Sequence, residues 1–304
     1  MGYDSRIVII GGGFIGLNLA KRLTPSYDRV TVFDRNLPTE PHADPATFVQ
    51  GDFLDIKLLK NIIAEHDIVI HCLSTTTPSS SNQDPIFDIS TNLIGSVNLL
   101  KAMVECNTKK IIFVSSGGTV YGLNQYPKED DPRMAICSYG IVKSAVEDYI
   151  CMYSYQYHLE YMILRLTNPY GPMQKPGNGL GVIGNFLDCV IKGLPITIFG
   201  DGTATRDYIY IDDFSQIVET LIRQNQWNII TNVGSGYSAD LNTLCELIVK
   251  NVSDRILVNR VEKRSCDLNV NSPKTDRLRE LIPKFQFTNI EDGIKKYYRW
   301  LTQS

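Results

Sequence analysis

The chain has 304 residues, 43% of them hydrophobic, and a formal net charge of -3 from 30 basic and 33 acidic side chains. That length allows one large or two modest domains with a real core, and the near-balanced charge, without a basic tract or zinc-finger spacing, does not suggest a nucleic-acid protein. Seven cysteines, an odd count with no CxxC, argue against a disulfide scaffold or a structural zinc site and fit a reducing cytoplasm; neither a basic start with a cleavable apolar stretch nor a membrane-length apolar run is visible.

Arg6–Ile10 (RIVII) reads as a buried strand and runs straight into Gly11-Gly12-Gly13-Phe14-Ile15-Gly16. Leu17–Leu23 continue as a helix, and Val30–Phe33 form a second strand ending on Asp34. Strand, glycine turn, helix, strand and acid make up the context of a dinucleotide fingerprint. Gly11 makes the tight turn, Gly13 leaves room for a pyrophosphate, and Gly16 lets helix and strand pack closely. The first turn at Phe14 and Ile15 offers free N–H groups and partial positive charge to phosphates. Asp34 suits the adenosine ribose hydroxyls and favours NAD over NADP, although Arg35 blurs that preference.

Phe48–Gln50 is a short third strand leading to Asp52 and Phe53, which are placed on the adenine side. Lys57–Ala64 reads as a helix and Asp67–Cys72 as a fourth strand. The polar loop Leu73–Gln83 stands where a strand end faces a nicotinamide ribose, so Leu73 is a candidate cofactor contact. A long helical pattern over Ile86–Glu105 and a fifth strand over Lys110–Ser115 follow. The alternation predicts an α/β fold: a doubly wound, open parallel sheet whose strand-end loops converge on one edge, including Gly11–Gly16, Leu73–Thr76 and Ser115–Thr119.

Tyr139–His158 reads as a helix with Val142, Val146, Tyr149, Ile150 and Tyr153 on one stripe, and Tyr139 and Lys143 one turn apart. Tyr161–Thr167 is a sixth strand, and Met173–Gly184 reads as a glycine-rich loop without period. Later elements are strands at Ile196–Phe199, Arg206–Ile211 and Ile230–Val233, and helices through Leu221, over Leu241–Val249 and over Ile290–Leu301. Asp212 or Asp213 is the expected cap of the helix through Leu221. The expected division is a Rossmann-type cofactor domain over 1–168, with segments near 204–236 returning to it, and a smaller substrate lobe over 169–203 and 237–304.

Tyr139 with Lys143 is the sharpest chemical constellation. Free tyrosine is a poor base at neutral pH, and a neighbouring ammonium together with a positive nicotinamide ring favours the phenolate. A surface Tyr and Lys on an ordinary helix is the bland alternative. Ser115 and Thr119 offer hydroxyls at a strand exit, Ser115 as a candidate cofactor contact and Thr119 as a donor to the reacting sugar oxygen. Arg206 and Arg264 are candidate diphosphate clamps, and Asn168 can hold a diphosphate or a sugar. His42, His66, His71 and His158 form no metal spacing, and His71 reads as a core histidine; no metal is expected.

These motifs, with NLIGSVNLL at 92–100, SSGGTVYG at 115–122, YGIVK at 139–143, NPYG at 168–171 and RDYIYIDD at 206–213, resemble the extended short-chain dehydrogenase/reductases, in particular the NAD-dependent nucleotide-sugar epimerase/dehydratase family. The resemblance implies Tyr139 as base with Lys143 as its partner, and a buried Asn92. It also implies Asn168, Arg206, Arg264 and Asp267 around a nucleotide diphosphate, and a homodimer through the two long helices. The chain departs from the pattern in four places. Ile10 stands at the first glycine of GxxGxxG, and Cys72–Thr76 replaces an alanine-rich segment. Gly117 stands at the catalytic Ser/Thr, which leaves Thr119 to replace that hydroxyl. Asn271 aligns with a tyrosine that narrows the sugar pocket, so N-acetyl sugars gain room.

The leading expectation is a cytoplasmic UDP-sugar 4-epimerase working through a 4-keto intermediate with bound NAD. The alternatives are a nucleotide 4-keto-sugar reductase, a 4,6-dehydratase and a non-catalytic NAD-binding protein.

Overall fold

A computed structural model describes residues 3–37, 46–177, 181–253, 255–262 and 268–303. By density of internal contacts the chain divides into two compact units. One comprises residues 1–122, 132–165 and 215–231; the other comprises 123–131, 166–214 and 232–304.

The first unit is built on a seven-stranded sheet. Its strands are β1 (Tyr3–Ile10), β2 (Tyr27–Asp34), β3 (Thr47–Gln50), β4 (Ile68–His71), β5 (Lys110–Ser116), β6 (Glu160–Leu166) and the late β10 (Ile229–Val233), in the order β10-β6-β5-β4-β1-β2-β3. β1 pairs parallel with β2 and with β4, β2 with β3, and β4 with β5. Ile7–Ile10 are fully buried and all of β4 is buried, which is why these strands read as unbroken apolar runs. The order reverses between β1 and β4, so their C-terminal loops open the crevice in which such sheets bind ligands. The expected parallel α/β sheet is the one observed.

The helices of this unit include α1 (Phe14–Leu23), α2 (Ile56–Ile63), α3 (Pro85–Asp88), α4 (Ile94–Glu105) and α5 (Ser138–Tyr157). A π-helical turn, Ile89–Leu93, joins α3 to α4. α5 buries Gly140, Val142, Lys143, Val146, Glu147 and Ile150. Tyr149 is 38% exposed, contrary to the stripe drawn from apolar residues alone. The buried face is rotated toward Lys143 and Glu147, whose charges are compensated inside. Arg165 Nη2 donates to Glu147 Oε2 at 2.7 Å, and its Nη1 donates to the Tyr121 hydroxyl at 2.6 Å. Glu147 and Arg165 are 1% and 3% exposed.

The second unit carries a sheet in which β9 (Thr205–Tyr210) pairs with β7 (Asn168–Tyr170), β11 (Ser238–Ala239) and β13 (Val270–Asn271). β8 (Ile196–Phe199) pairs separately with β12 (Val258–Val261). Its core gathers Ile183, Phe186, Leu187, Leu244, Ile294 and Tyr297. Within the expected loop 173–184, Val182 already starts α6 (Val182–Lys192), whose capping residue Gly181 has a left-handed backbone. Asp212 and Asp213 lie inside the first turn of α7 (Ile211–Arg223) and do not cap it; Asp213 instead accepts from the backbone and hydroxyl of Thr288, ahead of α10 (Ile290–Gln303).

Removing one partner of a buried ion pair strands the other. Arg165→Met should cost about 3–5 kcal/mol of stability by denaturant titration, whereas a loss below about 1 kcal/mol would show that Glu147 does not depend on this partner.

Candidate active site

The glycine turn is shaped by close approaches. Gly11 has φ +106°, and a Cβ on it would come within 2.7 Å of the Leu73 backbone nitrogen. On Gly16 a Cβ would come within 1.9 Å of the Gly11 carbonyl oxygen. Above Gly13 nothing lies within 4 Å of the Cβ position, and no side chain caps α1. The first turn of α1, through Phe14 and Ile15, therefore presents its N–H groups at an open surface. Gly12 N–H donates to Asp34 Oδ2 at 2.7 Å, and Asn36 N–H to Asp34 Oδ1 at 2.8 Å. Asp34 is thereby fixed against the turn, with lone pairs left for ribose hydroxyls. An open helix start, a cradle that a side chain would fill and a held carboxylate fit a dinucleotide.

Asp52, expected on the adenine side, is exposed and accepts from Leu54 N–H. Beside it, the Phe53 ring packs inward. It is 5% exposed, packs 5.4 Å from the His71 ring, and lies 2.5 Å from where a Gly95 Cβ would stand.

Tyr139 and Lys143 line one pocket with Leu73, His71, Asp88 and Asn92. Lys143 Nζ donates to the Val114 carbonyl at 2.9 Å and lies 4.7 Å from the Phe113 ring and 5.6 Å from the Tyr139 ring. Burial pushes the ammonium down to about 8, against the opposing pull of Cys72, Glu147 and Asp88. The Tyr139 phenol is held above its ordinary value, first by burial and further by Asp88. His71 is a buried neutral imidazole, pushed down to about 3 by burial, with Nε2 on Ser96 Oγ at 2.8 Å.

Ser115 does not turn its hydroxyl toward this pocket. Its Oγ donates to Glu147 Oε1, inside the Arg165 network. Thr119 is not among the pocket residues, and its buried Oγ1 has no hydrogen-bond partner among the described residues. Asn92 accepts from Thr75 N–H at 2.9 Å and donates to Asp88 Oδ1 at 2.8 Å. Asp88 went unnoticed in the sequence. A carboxylate four residues before the buried asparagine of an apolar helix was the available signal.

In the second unit, Asn168 Nδ2 donates to the Asp207 carbonyl at 2.9 Å, and Arg206 Nη1 to the Thr205 carbonyl at 2.9 Å. Asn271 stands beside Arg206 in the β13–β9 register and is 1% exposed. Arg264 and Asp267 lie outside the described residues. No group of three or more His, Cys, Asp or Glu side chains among the described residues is placed to hold a metal ion.

Because the folded chain holds Lys143 near 8 against an ordinary 10.5, the unfolded chain binds more protons between those values. The penalty is full below about pH 8 and relieved as pH rises toward the ordinary value. Lys143→Met should raise the melting temperature at neutral pH and flatten its rise across that window. An unchanged pH slope would contradict the buried ammonium.

The sequence model of the NAD dependent epimerase/dehydratase family matches residues 7–234. A UDP-glucose 4-epimerase of Mycolicibacterium smegmatis is 34% identical over 230 residues, covering 72% of each chain. A dTDP-4-dehydro-6-deoxyglucose reductase of Escherichia coli is 34% identical over 255 residues, covering 80% of each. The crystal structure of Thermus thermophilus UDP-glucose 4-epimerase complexed with NAD superimposes with a TM-score of 0.87 at 27% identity, covering 98% of this chain and 99% of that one. With the family matched over most of its length and a glycine turn that fits a dinucleotide, the chain belongs to the NAD dependent epimerase/dehydratase family: it is an enzyme and NAD is its cofactor.

Proposed function

We propose that this enzyme is a UDP-sugar 4-epimerase that interconverts gluco and galacto configurations through a 4-keto intermediate. The observation that carries the reading is the Tyr139–Lys143 pair, set in one pocket with the end of β4, in a chain whose relatives include UDP-glucose 4-epimerases. When bound, NAD supplies the hydride acceptor and then the donor, so there is no net redox.

Gly11–Gly16 and the first turn of α1 would hold the pyrophosphate, Asp34 the adenosine ribose and Asp52 the adenine edge. Lys143, steadied by the Val114 carbonyl, would hold the nicotinamide ribose hydroxyls and place its charge beside Tyr139. Tyr139 takes the proton of the C4 hydroxyl and later returns it. With its phenol held up by burial, that role depends on the positive charge gathered in the pocket when the cofactor is present. The unpartnered Thr119 hydroxyl supports a donor to the reacting oxygen in place of the one lost at Gly117. Asn168 and Arg206, with Arg264 and Asp267, would grip the UDP, and Asn271 would leave room for an N-acetyl group. Because Asn271 is buried, a tyrosine there would overpack its surroundings, so acceptance of N-acetyl sugars is better read from substrates than from that substitution.

A 4-keto-sugar reductase is the second reading, favoured by the E. coli relative. It would use Tyr139 and Lys143 in the same way but release the oxidised cofactor each turnover. A 4,6-dehydratase is disfavoured, since Gly118 and Thr119 stand where an Asp-Glu pair is required.

The enzyme is further read as a cytoplasmic homodimer. The cysteines described are free thiols, which suits a reducing compartment. The long helices expose Ile94 at 51%, Ile141 at 57% and Tyr155 at 88%, an apolar face that a second copy of the same helices would cover.

Purified enzyme given a panel of UDP-sugars, with proton NMR at sugar C4, should equilibrate gluco and galacto forms without net NADH; turnover only of 4-keto sugars with consumption of reduced cofactor would move the assignment to the reductase. Tyr139→Phe should lower kcat by about 10²–10⁴, and a near-wild-type rate would remove Tyr139 as base. Light scattering should show a dimer that Tyr155→Glu weakens, and a monomeric wild type would contradict the helix interface.

A further inference from the structure

The helix that carries Tyr139 has no capping oxygen of its own. α5 begins at Ser138 after Cys137, whose backbone is extended and whose side chain is a thiol. A helix leaves its first N–H groups without intrahelical acceptors. Here they are met from far upstream in the sequence. Ser138 N–H donates to Asn82 Oδ1 at 2.8 Å, and Tyr139 N–H donates to Ser81 Oγ at 3.0 Å. Ser81 is fully buried. Asn82 is exposed and holds the outer N–H.

A buried carboxylate lies behind these caps. Asp88 is 0% exposed, and its Oδ2 accepts from the Ser138 hydroxyl at 2.6 Å. Its Oδ1 accepts from the Thr76 hydroxyl at 2.7 Å and from Asn92 Nδ2 at 2.8 Å. Asn92 in turn accepts from Thr75 N–H. A continuous run of hydrogen bonds thus joins the strand-end loop Cys72–Thr76 to the start of α5. Asp88 directly precedes the π-helical turn Ile89–Leu93 and Asn92 lies within it, a local rewinding that often marks functional positions in helices.

We propose that Ser81, Asn82 and Asp88 are positioning residues for Tyr139: they lock the first turn of α5 to the loop at the end of β4, so that the base and the cofactor-facing strand end keep one geometry. This rests on the reading of Tyr139 as the base. A cap that served folding alone would lower the melting temperature and leave the turnover of folded enzyme unchanged. A positioning cap acts on kcat, because small displacements of a catalytic group are costly in the transition state.

The experiment uses the full chain with UDP-glucose and NAD, and measures kcat, KM and melting temperature for Asn82→Ala, Asn82→Asp, Asp88→Asn, Tyr139→Phe and the Asn82→Ala/Tyr139→Phe double variant. Asn82→Ala should lower kcat by about fivefold with KM changed by less than about twofold. Asn82→Asp keeps the acceptor oxygen and should restore the rate. Asp88→Asn disturbs three donors at once and should lower kcat further. In the Tyr139→Phe background Asn82→Ala should cost nothing more, since its effect passes through the phenol. If Tyr139→Phe alone leaves the rate intact, the assignment of the base fails. If Tyr139→Phe is inactive while Asn82→Ala and Asp88→Asn turn over like wild type, or if Asn82→Ala costs the same with and without the phenol, the positioning role is overturned and the base assignment stands.

Discussion

Burying charge on one face of α5 is the constraint on which the rest of the site depends. A helix against a sheet is expected to bury apolar residues, yet Lys143 and Glu147 stand one turn apart on the inner face. Neither can lose water without compensation. Lys143 finds the Val114 carbonyl at the end of β5 and the faces of Phe113 and Tyr139. Glu147 finds Arg165 on β6, Arg133, and the hydroxyl of Ser115. These bonds tie α5 to two central strands and to the start of the Ser115–Thr119 loop. The helix that carries the chemistry-bearing pair is therefore held by electrostatics as well as by packing.

The same constraint explains which parts of the site were legible. The glycine turn, the strands around it and Asp34 could be read directly, because each glycine answers a local requirement: a positive φ at Gly11, a contact against the Gly11 carbonyl at Gly16. The buried face of α5 could not, since an apolar stripe has no means of choosing Lys143 and Glu147 over Tyr149. Ser115 looked like a cofactor ligand from its place at a strand end, but a buried carboxylate two turns from Tyr139 claims its hydroxyl. Phe53, placed on the adenine side by its position after a strand, packs its ring into the core where Gly95 leaves room, a contact no local pattern encodes. The caps from Ser81 and Asn82 join segments more than fifty residues apart in sequence, which no local pattern encodes.

The second unit was harder to read for a different reason. Its central strand β9 is held partly by pieces of two or three residues, β11, β13 and β7, too short to show a period. Even so, the register sets Asn271 beside Arg206, two residues singled out on separate grounds. With four glycines and no clear period, Met173–Gly184 reads as one loop. Gly181 in fact supplies the left-handed residue from which α6 starts.

An oxidation and reduction that close on the same carbon are the core of the account, with Tyr139 moving the proton and the cofactor left unchanged. The most direct measurement is the fate of deuterium placed at C4 of UDP-glucose, followed by mass spectrometry of the product after many turnovers in ordinary water. The account predicts that UDP-galactose keeps the deuterium and that no reduced cofactor accumulates. Loss of the label to solvent, or one reduced cofactor consumed for each sugar converted, would contradict it.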